Sequence, residues 1–144
     1  MTNLEMANRL RDLRDFLIIA GYEESHATRY TQIARTIEKM PEPIMDLHVE
    51  HRLTEIPQVG KLIAQYMKEI IRDGVSSKQL EWEKEAPISV LELVRVPGLG
   101  AKTARRLWQE HQISTLAQLQ QTVQEQDIPG IGPKMKQAIL ETTL

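Results

Sequence analysis

The chain has 144 residues with 18 basic and 20 acidic side chains, a formal net charge of −2 at pH 7 and a length that allows one domain or two small ones. It contains no cysteine, which excludes disulfides and thiolate metal sites and agrees weakly with a reducing, cytoplasmic location. No apolar run approaches the ~18 residues of a membrane span. The N-terminus has no basic region followed by an apolar core, so we predict no secretion signal.

The charge is distributed unevenly along the chain. Residues 1–50 contain six basic and nine acidic side chains, and residues 51–92 contain six and seven. Residues 93–144 contain six basic and four acidic side chains, and between Leu93 and Gln109 there are four basic residues and no acidic one. The net charge argues mildly against a nucleic-acid-binding protein, but the local excess near the middle of the chain favours an anion-binding region there.

Apolar residues recur at helical spacing along most of the chain, and prolines and glycines lie between these runs. The first run predicts a helix over residues 4–20, with Asn3 as its N-cap and Gly21 as its stop. The other predicted helices, in chain order, cover residues 25–39, 44–48, 49–53, 61–72, 77–84, 90–94, 101–111, 116–124 and 133–141. No stretch alternates as a strand does. We therefore predict an all-α fold of about ten short helices without a sheet.

One short pattern, apolar-Pro-Gly-apolar-Gly, precedes three of these helices. We call residues 56–60 the first turn, residues 96–100 the second turn and residues 128–132 the third turn. The second and third turns have both glycines, whereas Gln58 replaces the first glycine of the first turn. Gln58 must therefore adopt a turn conformation that suits glycine, and its side chain would hinder close approach of a ligand. The repeat predicts tandem helical hairpins of variable length.

A helix that begins right after such a turn offers an anion site. Its first backbone N–H groups have no partner within the helix and lie at the positive end of the helix dipole, which suits a phosphate. Lys102, Arg105 and Arg106 add positive charge in the second hairpin. The two arginines cannot face the same way, so we expect one to face the ligand and the other to face solvent. This arrangement is typical of the helix-hairpin-helix motif, which binds nucleic-acid backbones without reading sequence.

The predicted DNA-binding residues follow from that motif, with the second turn ranked above the third and the third above the first. They are Gly98, Gly100, Ala101, Lys102, Thr103 and Arg105 at the second turn, Gly130, Gly132 and Lys134 at the third, and Gly60 and Lys61 at the first. The alternative for each turn is a purely structural corner between two helices. The histidines, including His48 and His51, lack the spacing of a zinc site. No pair of carboxylates suggests two-metal catalysis, and we expect no required cofactor.

The chain resembles the N-terminal part of the bacterial family X DNA polymerases. The resemblance rests on Arg29-Tyr30, Leu53-Thr54-Glu55-Ile56-Pro57, Val59-Gly60-Lys61, Val96-Pro97-Gly98-Leu99-Gly100-Ala101-Lys102-Thr103-Ala104 and Ile113-Ser114-Thr115-Leu116. It implies a four-helix, lyase-like domain over residues 1–86, with a degenerate first turn, followed by a two-hairpin domain over residues 87–144. It also implies K⁺ or Na⁺ at the turns when DNA is bound, held by backbone carbonyls of Thr54, Ile56 and Val59, and of Val94, Val96 and Leu99.

The chain departs from this family in three ways. It ends at Leu144, before the family's catalytic palm, so we expect no nucleotidyl transfer. The position of the family's lyase lysine is occupied by Tyr66, which cannot form a Schiff base. The pocket that binds a 5′-phosphate in the family has few basic residues in this chain. We therefore expect a protein that is not an enzyme.

The leading hypothesis is a non-catalytic, sequence-independent DNA-binding protein with a role in DNA repair or replication. Its partners would be duplex, nicked or gapped DNA, and it would associate with the nucleoid if the source is bacterial. One alternative is a protein-interaction module, in which the acidic N-terminal half docks a repair or replication partner. The other is a 5′-deoxyribose-phosphate or abasic-site lyase that uses Lys61 or Lys68.

Overall fold

The computed structural model describes residues 1–144 and is entirely helical, which confirms the predicted fold class. It contains eight α-helices and two 3₁₀ segments, η1 and η2. In chain order these are α1 (Asn3–Ala20), α2 (Glu24–Lys39), α3 (Ile44–Val49), η1 (Leu53–Glu55), α4 (Lys61–Asp73), α5 (Ser77–Trp82), η2 (Ile88–Arg95), α6 (Ala101–His111), α7 (Leu116–Glu125) and α8 (Pro133–Glu141). No helix combines the length and the apolar character needed to cross a membrane.

The start of α1 differs from the prediction by one residue. Thr2, not Asn3, is the N-cap, and its hydroxyl accepts a hydrogen bond from the backbone N–H of Glu5. The Asn3 side chain instead accepts a bond from the Ile44 N–H at 2.6 Å and donates to the Glu42 carbonyl at 2.9 Å. Asn3 therefore joins the start of α1 to the start of α3, a long-range role that the local capping pattern does not reveal.

Residues 49–53 do not form the predicted helix. The helix α3 ends in a Schellman motif, in which the Arg52 N–H donates to the Leu47 carbonyl at 2.7 Å and His51 has a φ of 59°. Val49 remains 70% exposed whereas Leu53 is buried, so the two apolar residues of this segment do not share one buried helix face. The run before the second turn is also different, because residues 88–95 form the 3₁₀ segment η2 rather than a short α-helix over 90–94.

Two clusters of buried apolar side chains form the core, and α1 contributes to both. The first cluster contains Leu10, Leu13 and Leu17 from α1, packed with residues of α2, α3, α4 and the first turn. The second contains Phe16, Ile18 and Ile19 from α1, packed with η2, α6, α7 and the second turn. Because α1 is covered on both sides, all residues from 16 to 20 are buried. The division into residues 1–86 and 87–144 stays a prediction, and the two parts share this helix.

Three polar contacts join these parts around α6. Arg95 forms a bidentate ion pair with Asp12, at 2.8 and 3.0 Å. Arg105 donates to the Ile19 carbonyl at 2.8 Å. A third contact, between Lys102 and Glu24, lies at the start of α6 and measures 2.9 Å. Together with the second apolar cluster, these contacts determine how the second turn is presented relative to α1 and α2.

Candidate nucleic-acid interface

The three turns have the same backbone conformation. In each, the fourth residue donates to the carbonyl of the first at 3.0 Å, and proline occupies the second position. The third residue has a positive φ in all three: 71° at Gln58, 85° at Gly98 and 87° at Gly130. These are the features of a type II β-turn, in which glycine is favoured at the third position. The prediction that Gln58 occupies a glycine conformation is therefore confirmed.

The last glycine of each turn has a different significance. Gly60, Gly100 and Gly132 are the N-caps of α4, α6 and α8, with φ values of −90°, −91° and −82° that any residue adopts. A Cβ atom added at any of the three would meet no protein atom within 4 Å. Helix N-caps usually carry Ser, Thr, Asp or Asn, whose side chains satisfy a first-turn N–H. Neither backbone conformation nor packing within the protein therefore requires glycine at these positions.

These glycine caps leave the first backbone N–H groups of each helix without an acceptor. At the second turn the N–H groups from Gly100 to Thr103 make no hydrogen bond, and the first one formed is from Ala104 to the Gly100 carbonyl. The first and third turns are arranged alike, with Ala64 donating to Gly60 and Lys136 donating to Gly132. At the third turn Pro133 removes one donor. Each turn therefore presents a small group of outward N–H donors at a positive helix end.

The predicted lysines differ in their surroundings. Lys61 and Lys134 are exposed and form no ion pair. Lys102 is also exposed, but its Nζ lies 2.9 Å from Oε2 of Glu24 at the start of α2. The second turn, ranked first from sequence, is therefore the one whose lysine already has a carboxylate beside it.

No family model matches the chain. Over 86 residues, 58% of its length, the chain is 30% identical to the DNA polymerase/3′-5′ exonuclease PolX of Bacillus subtilis strain 168. The chain spans 15% of the length of that polymerase. This distant similarity gives only partial support to the resemblance to family X polymerases, since the match covers a limited region of each protein.

Both arginines of α6 contact the backbone of other elements. Arg105 Nη1 donates to the Ile19 carbonyl, and the guanidinium packs against Gly21 at the end of α1. Arg106 Nη2 donates to the carbonyl of Pro129 in the third turn at 3.0 Å. Neither arginine simply faces solvent, because both donate to backbone carbonyls elsewhere in the protein, and the expectation that one of them faces a ligand stays a prediction. We therefore leave Arg105 out of the proposed DNA contacts.

Acidic side chains surround the first turn. The Arg52 guanidinium lies 3.4 Å from Glu42, 2.8 Å from Glu50 and 3.1 Å from Glu55. Hydrogen bonds to Glu55 and Glu50 raise the pKa of Arg52 above its ordinary value. Three carboxylates around one cation leave this region negative, and Glu55 lies directly before the turn. The surroundings of the first turn therefore disfavour a phosphate more than those of the other two.

The carbonyls predicted to hold a monovalent cation lie at the first and second turns. Those of Ile56 and Val96 already accept the hydrogen bonds that close their turns. A carbonyl oxygen has two lone pairs, so this bond does not prevent coordination. The cation sites, with Thr54, Val59, Val94 and Leu99, stay a prediction.

A cavity of about 190 Å³ lies between α2, α4 and α5. Tyr66 lines it, whereas Lys61 and Lys68 do not. The lysine that does line it is Lys78 of α5, whose Nζ lies 4.4 Å from the centroid of the Tyr22 ring. Burial raises the pKa of Tyr66 above its ordinary value. Sequence reasoning missed Lys78 because it belongs to a separate helix, beyond Gly74.

Proposed function

We propose that the protein binds the sugar-phosphate backbone of DNA without reading its sequence, through helix-hairpin-helix units at the second and third turns. The observation that supports this most is the set of three N-cap glycines, Gly60, Gly100 and Gly132. A Cβ atom built on any of them would have no neighbouring atom within 4 Å. Glycine is needed where a ligand backbone approaches closely, and the adjacent N–H groups are matched to phosphate oxygens. The partial similarity to a DNA polymerase supports DNA as the ligand.

The chemistry of these donors determines what kind of binding is expected. Backbone N–H groups and lysines contact phosphates, which are the same for every base sequence. The ligands would be duplex, nicked or gapped DNA, and the biological setting would be repair or replication. If the protein neutralises ~2–4 phosphates, the slope of log K against log salt concentration would be about −2 to −4.

The first test is a fluorescence-anisotropy titration of labelled single-stranded, duplex, nicked and gapped DNA at two salt concentrations. We expect salt-sensitive binding that does not depend on base sequence. A flat salt response, or no binding to gapped duplex at low salt, would contradict the proposal.

The second test is the double substitution Gly100→Val with Lys102→Glu. The backbone of Gly100 suits valine and its Cβ meets nothing, so the fold tolerates the change while the added side chain covers the N–H donors. Reversal of charge at Lys102 adds repulsion. We expect a loss of binding of at least tenfold, and a smaller effect for the matched pair Gly60→Val with Lys61→Glu at the first turn. Binding equal to that of the parent would mean that the second turn is only a corner.

The cavity at Tyr66 supports a second candidate, an abasic-site lyase. The earlier alternatives, Lys61 and Lys68, lie outside this cavity, whereas Lys78 offers it an amine. In such a reaction the neutral amine attacks the C1′ aldehyde and water leaves to form an imine. Loss of the C2′ proton then expels the 3′ phosphate, and water releases the amine.

Borohydride reduction on DNA with a 5′ deoxyribose phosphate tests this candidate. A covalent adduct that disappears in Lys78→Ala but persists in Lys68→Ala would establish the lyase. Absence of an adduct in the parent protein would exclude imine chemistry under those conditions and leave the non-catalytic proposal.

A further inference from the structure

Arg106 belongs to the helix of the second turn but contacts the third turn. Its Nη2 donates to the Pro129 carbonyl at 3.0 Å, across 23 residues of chain. A hydrogen bond from a guanidinium to a carbonyl is charge-assisted and therefore stronger than a neutral one. The planar peptide between Pro129 and Gly130 directs its carbonyl at Arg106, so its N–H points the opposite way. Arg106 thus holds the central peptide of the third turn in one orientation.

The fit between Arg106 and Gly130 is close. A Cβ added to Gly130 would overlap Nη2 and lie 2.8 Å from Nη1 and 3.0 Å from Cζ. The equivalent Gly98 of the second turn would meet only the flexible end of Met135, at 3.5 Å. Both glycines have nearly the same positive φ. A side chain at Gly130 would therefore displace the guanidinium, whereas one at Gly98 would leave its surroundings in place.

One edge of the guanidinium remains available. Only Nη2 donates within the protein, and Nε is buried without an acceptor. Nη1 has no partner either, yet it is not among the buried unpaired atoms, so it reaches solvent beside Gly130. Gly132, the N-cap of α8, follows two residues later. A free donor and a full positive charge therefore lie beside Gly130 in the third turn.

We infer that Arg106 completes the phosphate site of the third turn, with Nη2 positioning the turn and Nη1 donating to the phosphate. This inference rests on the proposed function and extends it to a residue supplied by the neighbouring hairpin. Pro133 removes one N–H donor from the third turn, and the guanidinium of Arg106 would replace that donor. The second and third turns would then bind as one unit.

The first experiment compares Arg106→Ala, Arg106→Lys and Arg105→Ala by anisotropy titration on duplex DNA and by thermal unfolding. We expect Arg106→Ala to weaken binding about tenfold and to reduce the magnitude of the salt slope by about 1. Arg106→Lys should recover the slope, since it keeps the charge, but not the full affinity. Arg105→Ala loses a comparable carbonyl contact and should lower the melting temperature while leaving the salt slope unchanged.

The second experiment compares Gly130→Ala with Gly74→Ala, at the C-cap of α4. Both glycines have a positive φ, so alanine creates similar strain at each, but only Gly130→Ala displaces the guanidinium. We expect Gly130→Ala to reduce the magnitude of the salt slope as Arg106→Ala does, and the two changes to be less than additive when combined. Gly74 lies outside the three turns, so Gly74→Ala should keep the parent slope.

The outcomes separate this inference from the proposed function. If the parent binds DNA, the Gly100→Val/Lys102→Glu protein binds poorly and Arg106→Ala keeps the parent slope, then the role of Arg106 is purely structural and the inference is wrong. If the parent does not bind at any salt concentration, the proposed function fails and the inference fails with it. A lower melting temperature of Arg106→Ala with an unchanged slope would also overturn it, and Arg106→Lys provides a folded variant for that comparison.

Discussion

Lys102 Nζ at the start of α6 lies 2.9 Å from Glu24 Oε2 at the start of α2, so the lysine nearest the second turn has a counter-ion from the N-terminal part of the chain. Both side chains are largely exposed, at 75% and 45%. An exposed pair of this kind stabilises the fold only slightly. Its main effect is on the local potential, because a carboxylate beside an anion site lowers affinity for phosphate.

Glu24→Gln should therefore raise the affinity for DNA. We expect an increase of roughly three- to tenfold at low salt that shrinks as the salt concentration rises, because the repulsion is screened. Stability should change by less than about 0.5 kcal/mol. Anisotropy titrations at three salt concentrations measure the effect, with Glu23→Gln, the adjacent exposed carboxylate, as control. Equal gains in both variants would show that net charge, not the contact with Lys102, is responsible.

Gln58→Gly should stabilise the protein. Gln58 has a φ of 71°, a conformation that costs a residue with a Cβ about 1–2 kcal/mol. Glycine removes this strain but loses more entropy on folding, so we expect a net gain of about 0.5–1 kcal/mol. Urea unfolding measures it. Gln112→Gly, at the C-cap of α6 with a φ of 56°, is the matched control and should give a gain of the same sign. A lower midpoint for Gln58→Gly would mean that its side chain stabilises the first turn.

Asp15 predicts a pH dependence of stability. Burial raises its pKa above 3.8, although a hydrogen bond from Arg14 opposes the shift. The folded protein therefore binds this proton more tightly than the unfolded chain, and the contribution of Asp15 to stability falls as pH rises from about 4 through the raised pKa. In Asp15→Asn this fall should be absent. The urea midpoint of the variant should therefore rise relative to that of the parent between pH 4 and pH 7. A constant difference across that range would contradict the prediction.

Phe16→Ala should destabilise the C-terminal part of the chain although the residue lies in α1. Phe16 is fully buried in the cluster formed with η2, α6 and α7. Removal of a buried phenylalanine costs about 3–5 kcal/mol. Hydrogen exchange should show faster exchange in α6 and α7 as well as in α1. Leu4→Ala, on an exposed part of the same helix, should leave exchange unchanged. Faster exchange confined to α1 would favour two independently stable parts.

Local chemistry was sufficient to predict most helices and their ends. Gly21 and Gly74 stop α1 and α4 with positive φ values, as helix C-caps commonly do. The main error, at residues 49–53, arose because an apolar residue such as Val49 need not be buried. No sequence feature of His51 indicates the left-handed conformation that it adopts.

The backbone of the candidate site could also be predicted from sequence, because a type II turn and the helix after it depend on about five consecutive residues. The repeat alone indicates the unusual conformation of Gln58. The partners of the charged side chains could not be predicted. Lys102 meets a residue 78 positions away, and the targets of Arg105 and Arg106 are 86 and 23 positions away.

The sequence by itself determined an all-helical chain with three related turns, because helix periodicity, proline and glycine act over a few residues. Only the tertiary structure decided which cations remain free, which glycines make room for a guanidinium and which lysine lines the cavity at Tyr66. The physical reason is that long side chains choose among several rotamers according to the groups that the fold brings near them. At the second turn that choice places Lys102 beside Glu24, and at the third it places Arg106 beside Gly130.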